Sequence, residues 1–281
     1  MIASERPGRT VTTRITKFIG DTQQSTYDEV VTEEPLEIRL VSQGVIRTLA
    51  ITMRTPGNDF ELAAGFVTNE GIVPASEQIE RIGYCIDPAV DTEQRYNIVN
   101  VHASTSSADL SRFERHFTIN SSCGVCGRAN LDALSELGIA AITSELRVPI
   151  AALYTLPERL RTAQRIFSST GGLHAAALFD RSGKALVTRE DIGRHNAVDK
   201  TIGWARMERR LPLDQSILMV SGRTSYEILQ KAATAGIPIV CAVSAPSSLA
   251  IDLARAFNIT LVGFLRDERA NVYSIPERIT S

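Results

Sequence analysis

The sequence predicts an α/β protein in two parts, a smaller α+β first half and a second half whose mainly parallel central sheet is covered by helices on both faces. Two observations carry this. From residue 216 onward, short uninterrupted apolar runs (216–220, 237–243, 259–264) alternate with amphipathic stretches, the pattern of strands buried on both faces and joined by helices. The first half opens with Leu36, Ile38 and Leu40 alternating singly with polar residues, as in a sheet with one wet face, and the pattern changes near Val148. The expected divisions are a flexible N-terminal arm over 1–28, a β-rich domain over 29–147 and an α/β domain over 148–281.

The elements follow in order. The first twenty residues carry Arg6, Arg9, Arg14 and Lys17 without the apolar block of an export signal, so they read as a loose arm. Leu36, Ile38 and Leu40 alternate with polar residues, and Ser42-Gln43-Gly44 turns the chain into a second strand over 45–53, a β-hairpin. Pro56-Gly57 ends that strand. Asn58 is placed to cap a helix over 59–70, with Asp59 and Glu61 at its positive end and Gly71 at its C-cap. Residues 96–101 form a strand and 103–107 a polar loop, and Leu131, Leu134 and Leu137 before Gly138 mark a short helix. Past Pro149, residues 151–168 read as a helix, and 173–179 and 184–188 as strands paired around Asp180-Arg181-Ser182-Gly183. Helices over 193–210, 225–235 and 247–257 then alternate with the three apolar strands.

Composition bounds the function. A net charge of -2 over 281 residues excludes a nucleic-acid binder that works through a general basic surface. No apolar stretch reaches the length that spans a bilayer, so the expected compartment is the cytoplasm. Four cysteines, two of them isolated in apolar contexts at Cys85 and Cys241, do not form a disulfide framework, and reduced thiols are expected.

Three features carry chemistry. The first is Cys123-Gly124-Val125-Cys126, in a glycine-rich loop ahead of a helix start with Arg128 beside it, a setting that favours thiolate over thiol. A nucleophile, a buried structural pair and a zinc half-site all fit the spacing. Zinc lacks a second ligand pair, since His102, His116, His174 and His195 have no paired spacing, and no metal is expected. A thioredoxin-like redox pair would follow a strand inside a βαβ unit, which this loop does not. The second feature is a pair of loops, Ser221-Gly222-Arg223-Thr224 and Ser244-Ala245-Pro246-Ser247-Ser248, each joining a buried strand to a helix. Adjacent helix starts at the carboxyl edge of a parallel sheet favour phosphate, so Ser221, Arg223 and Ser244 are binding candidates, with Arg266 and Arg269 at the next strand end. Serine as a plain N-cap is the competing reading. The third feature is His174 after Gly171-Gly172, and His195 among Glu190, Asp191 and Arg194, which fit ligand positioning or acid–base roles; Asp191 as a simple helix cap is the alternative.

The ordered blocks "RTPGNDFELAAGFVTNEGI", "SSCGVCGRANLDAL", "TGGLHAAAL", "EDIGRHNAVDK", "SGRTSYEILQKAATAGIPIVCAVSAPSSLAIDLA" and "TLVGFLRDERANVY" resemble the formate dehydrogenase accessory sulfurtransferase family, FdhD, over about residues 30–275. The resemblance implies a cytidine-deaminase-like three-layer second domain and a cytoplasmic homodimer. It also implies transfer of sulfur from a cysteine desulfurase to the molybdenum cofactor, Mo-bis(molybdopterin guanine dinucleotide), on its way into formate dehydrogenase, with a GDP-like nucleotide as analogue. Cys123 matches the persulfide-bearing cysteine and Cys126 its partner. Phe264, Leu265, Arg266, Asp267, Glu268 and Arg269 match the cofactor-binding stretch, although Asp267 and Glu268 stand where small or neutral residues are the pattern. The zinc deaminase signature is missing: His174 is followed by Ala175-Ala176, and no proline precedes the CxxC. A thiol-disulfide oxidoreductase and a zinc-stabilised binding module are the alternatives.

Overall fold

The structure, a computed structural model, describes residues 8–104 and 139–281. The CxxC loop and the helix expected around Leu131, Leu134 and Leu137 lie outside the described residues.

Where a loose arm was expected, β1 (Thr10–Ile19) and β2 (Thr22–Val31) form an antiparallel hairpin that turns at Gly20-Asp21. Threonine, valine and isoleucine favour extended chain, but among the described residues neither face of this ribbon meets a core, so no burial pattern announced it. β3 (Glu34–Ser42) and β4 (Val45–Arg54) form the expected hairpin, with Gln43 and Gly44 at positive φ. α1 (Asp59–Asn69) follows, then β5 (Ile79–Tyr84) and β6 (Ile98–Ala103), in a sheet of order β4-β3-β6-β5. Leu36, Ile38, Leu40, Val99 and Val101 bury one face of this sheet against Leu62, Phe66 and Val67 of α1. Asn58 does not cap α1 with its side chain. It adopts φ 58°, ψ 30°, and its Oδ1 instead accepts a 2.7 Å hydrogen bond from Arg9. Gly71 closes the helix at φ 70°, the left-handed value that favours glycine.

In the second half, β7 (Val148–Pro149) leads into three short helices, α2 (Ile150–Tyr154), α3 (Leu156–Ala163) and α4 (Arg165–Thr170). The single helix expected over 151–168 is interrupted at Gln164, whose ψ of 78° leaves the helical region. Then come β8 (His174–Phe179), β9 (Ala185–Asp191), α5 (Arg194–Met207), β10 (Ile217–Val220), α6 (Tyr226–Thr234), β11 (Ile239–Ala242), α7 (Ser248–Ala256), β12 (Thr260–Arg266), β13 (Arg269–Ser274) and β14 (Ile279–Thr280). Six strands make one sheet of order β13-β12-β11-β10-β8-β9. β10, β11 and β12 are parallel, but β8 runs antiparallel to both β10 and β9, and β13 antiparallel to β12. The sheet is therefore mixed rather than mainly parallel, because a hairpin flanks the βαβαβ core on each side. Period-two burial covers both faces. Leu178, Leu218, Val240 and Leu261 meet Ile202, Ile228 and Leu253 of α5–α7, while Phe179, Met219, Cys241 and Val262 meet Leu153, Leu156 and Leu160 of α2–α3.

The two halves meet through α1 and α5. A Cβ added to Gly65 would lie 1.9 Å from the Asp199 carbonyl oxygen, and one on Gly203 would lie 1.7 Å from that of Glu61, so each helix backbone presses directly on the other. Polar groups lock the contact. Lys200 Nζ sits 2.6 Å from Asp191 and donates to the Thr55 carbonyl at 2.8 Å, and Asn69 donates to Asp199 at 2.7 Å. Lys231 lies 2.9 Å from Asp199 and 3.2 Å from Glu70, and Arg189 pairs with Glu61. Asp191 is not the cap of α5, whose N-cap is Gly193: besides accepting from the Gly193 N–H at 2.8 Å, it receives the Thr55 N–H from across the joint and the Lys200 ammonium from α5.

Candidate functional site

Because β10, β11 and β12 are parallel and β8 is antiparallel to them, the start of β8 and the ends of the other three share one edge. Four strands side by side place His174, Ser221, Ser244 and Phe264 along about 14 Å of that edge, at three interstrand spacings. The loops after β10 and β11 are tied together: Thr224 and Pro246 form a parallel bridge, the Thr224 N–H donates to the Ala245 carbonyl, and the Ser247 N–H donates to the Thr224 carbonyl at 3.0 Å. The Phe264 N–H donates to the Ser244 carbonyl at 3.2 Å, so the end of β12 joins the same ledge.

The two serines singled out in the sequence do not begin helices. Ser221 stitches β10 to β8, its N–H donating to the Ala175 carbonyl at 2.9 Å and its Oγ accepting from the Ala175 N–H at 2.8 Å. Ser225 and Ser247 are the N-caps of α6 and α7, and only Ser247 uses its side chain as a cap, accepting from the Ala250 N–H. Ser225 Oγ lies instead 3.3 Å from His195 Nε2.

Both histidines stand at this edge. His174 opens β8 in register with Asp191 of β9, and its Nδ1 is close enough to Gly222 that a Cβ there would approach to 3.3 Å. His195 lies in the first turn of α5, with Ser225 on one side and Glu227 3.8 Å away. Burial pushes the His195 imidazole down to about 4, helped by the charges of Lys231 and Arg194, so the ring is neutral at pH 7. Burial, then Arg194, also lowers His174. A neutral imidazole offers one donor and one acceptor to a ligand. Between the histidines, Arg194 Nε is buried without a hydrogen-bond partner among the described residues, as is the hydroxyl of Thr224, which is 1 % exposed. Unsatisfied donors beside two helix starts suit an anionic ligand. Arg194 and Glu227 join the site from positions beside the histidine and SGRTS motifs, and Thr224 and Ser225 from within the latter; their proximity depends on β8 and β9 folding back on β10, which no local pattern announces.

Residues 264–269 form the tip of the β12–β13 hairpin, not a strand end followed by loose arginines. Asp267 and Glu268 have φ of 51° and 54° between the paired Arg266 and Arg269, as a two-residue type I′ turn requires. Phe264 sits at a register shift with φ 52°, a costly conformation for an aromatic residue, and its ring is partly exposed. Leu265 is fully buried beneath the sheet, so its side chain faces the core rather than the edge, whereas Arg223, Arg266, Asp267, Glu268 and Arg269 are exposed. Cys123 and Cys126 lie outside the described residues. The described cysteines, Cys85 and Cys241, are both buried, and burial pushes the Cys241 thiol well above its ordinary range. Among the described residues no group of three or more His, Cys, Asp or Glu side chains is placed to hold a metal ion, and no helix is long and apolar enough to cross a membrane.

Fold and edge together define a mixed α/β protein with an anion-receptive ledge at the strand ends of its second half. The chain belongs to the FdhD/NarQ family, whose model matches residues 31–280. It is 48 % identical over 271 residues to a Mycolicibacterium paratuberculosis protein named Sulfur carrier protein FdhD, covering 95 % of this chain and 97 % of the relative. A Streptomyces avermitilis protein of the same name is 50 % identical over 256 residues, covering 90 % and 89 % of the two chains. A Desulfotalea psychrophila crystal structure, described as that of a candidate formate dehydrogenase accessory protein, superposes with a TM-score of 0.75 at 25 % identity, over 97 % of this chain and all of that one.

Proposed function

We propose that this chain is a sulfurtransferase acting as a sulfur carrier: Cys123 takes persulfide sulfur from a cysteine desulfurase and delivers it to Mo-bis(molybdopterin guanine dinucleotide) bound for formate dehydrogenase. The observation that carries the reading is an elimination. Of the four cysteines, Cys85 and Cys241 are buried in the body of the protein, so the thiolate that the relatives' name calls for falls to Cys123 or Cys126. The Cys123 thiolate attacks the outer sulfur of the donor persulfide; the donor S–S bond breaks, the desulfurase leaves as a thiolate, and Cys123 becomes the persulfide. On delivery, Cys126 attacks the inner sulfur of that persulfide and sulfide departs to the acceptor, leaving a Cys123–Cys126 disulfide that a thiol reductant returns to two thiols.

The acceptor docks on the edge built by Ser221, Arg223, Ser244 and the 264–269 tip, with the cytidine-deaminase-like arrangement supplying two helix starts for its phosphates. Neutral His174 and His195 offer hydrogen bonds without adding charge, and Arg194 supplies the cation. The protein works in the cytoplasm as a homodimer. Intact mass spectrometry after incubation with a desulfurase and cysteine tests the carrier role: the expected result is a gain of one sulfur atom that Cys123→Ala abolishes, and a variant that still gains sulfur sinks the proposal.

A further inference from the structure

We propose that the β1–β2 ribbon is a clasp that docks on β4 of a second copy of this chain, reciprocally, around a two-fold axis. This specifies the homodimer named above and does not depend on the sulfur chemistry.

Among the described residues the ribbon is anchored at its base, where the Glu29 carboxylate also hydrogen-bonds with Ser169. The Thr32 N–H donates to the Arg9 carbonyl at 2.9 Å, Arg9 holds Asn58, and Val31 lies against Gly172. Beyond the base, every residue from Thr16 to Ser25 is exposed. A hairpin of two strands is marginal in water unless a third strand or another surface covers it, yet this one extends for ten residues per strand. Its register aligns Val11 with Val30 on the face that also carries Ile15 and Ile19, and Val11 and Ile19 are more than half exposed. The opposite face carries Phe18 and Tyr27, at 67 % and 71 % exposure. Such side chains on an uncovered ribbon mark an interaction site rather than a finished surface.

The complementary surface is on the same chain. β4 is the outer strand of its sheet and, among the described strands, pairs with β3 alone. It exposes Val45, Ile46, Ile51 and Met53, with Ile51 at 68 %. Edge strands are ordinarily guarded by lysine, proline or inward-pointing charge; the β4 sequence VIRTLAITMR contains no lysine and no proline. Nor does it contain a carboxylate that would repel Asp21, Asp28 and Glu29 of the ribbon. Because each copy carries both ribbon and receiving strand, mutual docking closes after two subunits and leaves neither surface open.

The area suffices. Ten-residue strands give a ribbon about 34 Å long and about 10 Å wide, so one face offers about 300 Å². Two ribbons on two β4 surfaces bury about 1,200 Å² in total, the lower bound of stable specific interfaces.

Sedimentation equilibrium of the full chain tests this, with Val11→Lys/Ile19→Lys on the ribbon and Ile51→Lys on β4 as variants. All three positions are exposed, so thermal unfolding of the variants should match the parent within a few degrees. The expected result is a dimeric parent and monomers for both variants. A monomeric parent overturns the proposal, including the case in which the chain dimerises with nothing but binds a desulfurase through the ribbon. Dimers in both variants overturn it too, and a monomer in only one overturns the pairing of ribbon with β4. Sulfur loading read by intact mass on the same samples distinguishes failure of the clasp from failure of the carrier role.

Discussion

The α1–α5 contact and the carboxyl edge of the six-stranded sheet are both built from small residues and charged groups, yet they use them in opposite ways. At the helix contact, Gly65 and Gly203 have no side chains because backbone fills the space, and the Lys200 and Lys231 ammonium groups meet carboxylates within 3 Å. At the edge, Gly222 leaves room beside His174, Arg194 Nε and the Thr224 hydroxyl lack partners among the described residues, and Phe264 holds a backbone angle that an aromatic side chain resists. Satisfied groups fix the two halves as one body. Unsatisfied and strained ones suit the ligand docking proposed for this edge.

Breaking the helix contact should give the largest effect. Gly203→Ala places a methyl where the Glu61 carbonyl oxygen already stands, and neither backbone can yield without moving its helix. Urea denaturation should show a loss of about 3 kcal/mol or more, the upper end of overpacking costs; an unchanged midpoint would mean that the helices do not touch as described. Lys200→Met should follow closely. It leaves Asp191, which has no exposed surface, without its counter-ion, at a cost of about 3 kcal/mol, and Asp191→Asn in the same chain should restore part of it.

Much of this architecture was legible in the sequence, and each part that was not has its own physical reason. The apolar runs of β10, β11 and β12 stand out because both faces are buried, and the β3–β4 hairpin because one face is. The β1–β2 ribbon buries neither face, so its threonines and valines read as a polar arm. β13 was missed because Asp267-Glu268 lacks the asparagine or glycine that usually announces a type I′ turn. Asn58 looked like a cap in one dimension, but Arg9, far away in sequence, claims its side chain. The edge residues divide in the same way. His174, His195 and the two serine loops follow from local motifs, whereas the links from Ser225 to His195 and from Ser221 to Ala175 exist only once β8 reverses against β10.

pH sharpens the contrast at intermediate magnitude. His195 is held at about 4 against an ordinary 6.5, by burial first and then by Lys231 and Arg194. Between those values the unfolded chain binds a proton that the folded chain refuses, so stability is fully present above pH 6.5 and falls as the pH drops toward 4. Since 33 % of the side chain is exposed, the loss should not exceed about 2 kcal/mol. His195→Gln should flatten the difference in urea midpoint between pH 7 and pH 4.5 relative to the parent, while a titration at the α1–α5 contact would leave the two profiles parallel.

The smallest expected change in stability is the one that separates the two regions most clearly. Phe264 adopts φ 52°, which costs a residue with a Cβ about 1–2 kcal/mol, and its side chain, 37 % exposed, recovers part of that by packing. Phe264→Gly removes that cost but adds chain entropy to the unfolded state, about 1 kcal/mol in the other direction. The two nearly cancel, and the thermal midpoint should move by no more than a few degrees. If the strained turn exists to present the ring to a guanine nucleotide, the rise in midpoint that GDP gives the parent should shrink in Phe264→Gly, because stabilisation by a ligand follows its affinity. A variant that loses about 1 kcal/mol or more without GDP and keeps the full GDP shift would place Phe264 with the packed contact between helices rather than with the edge.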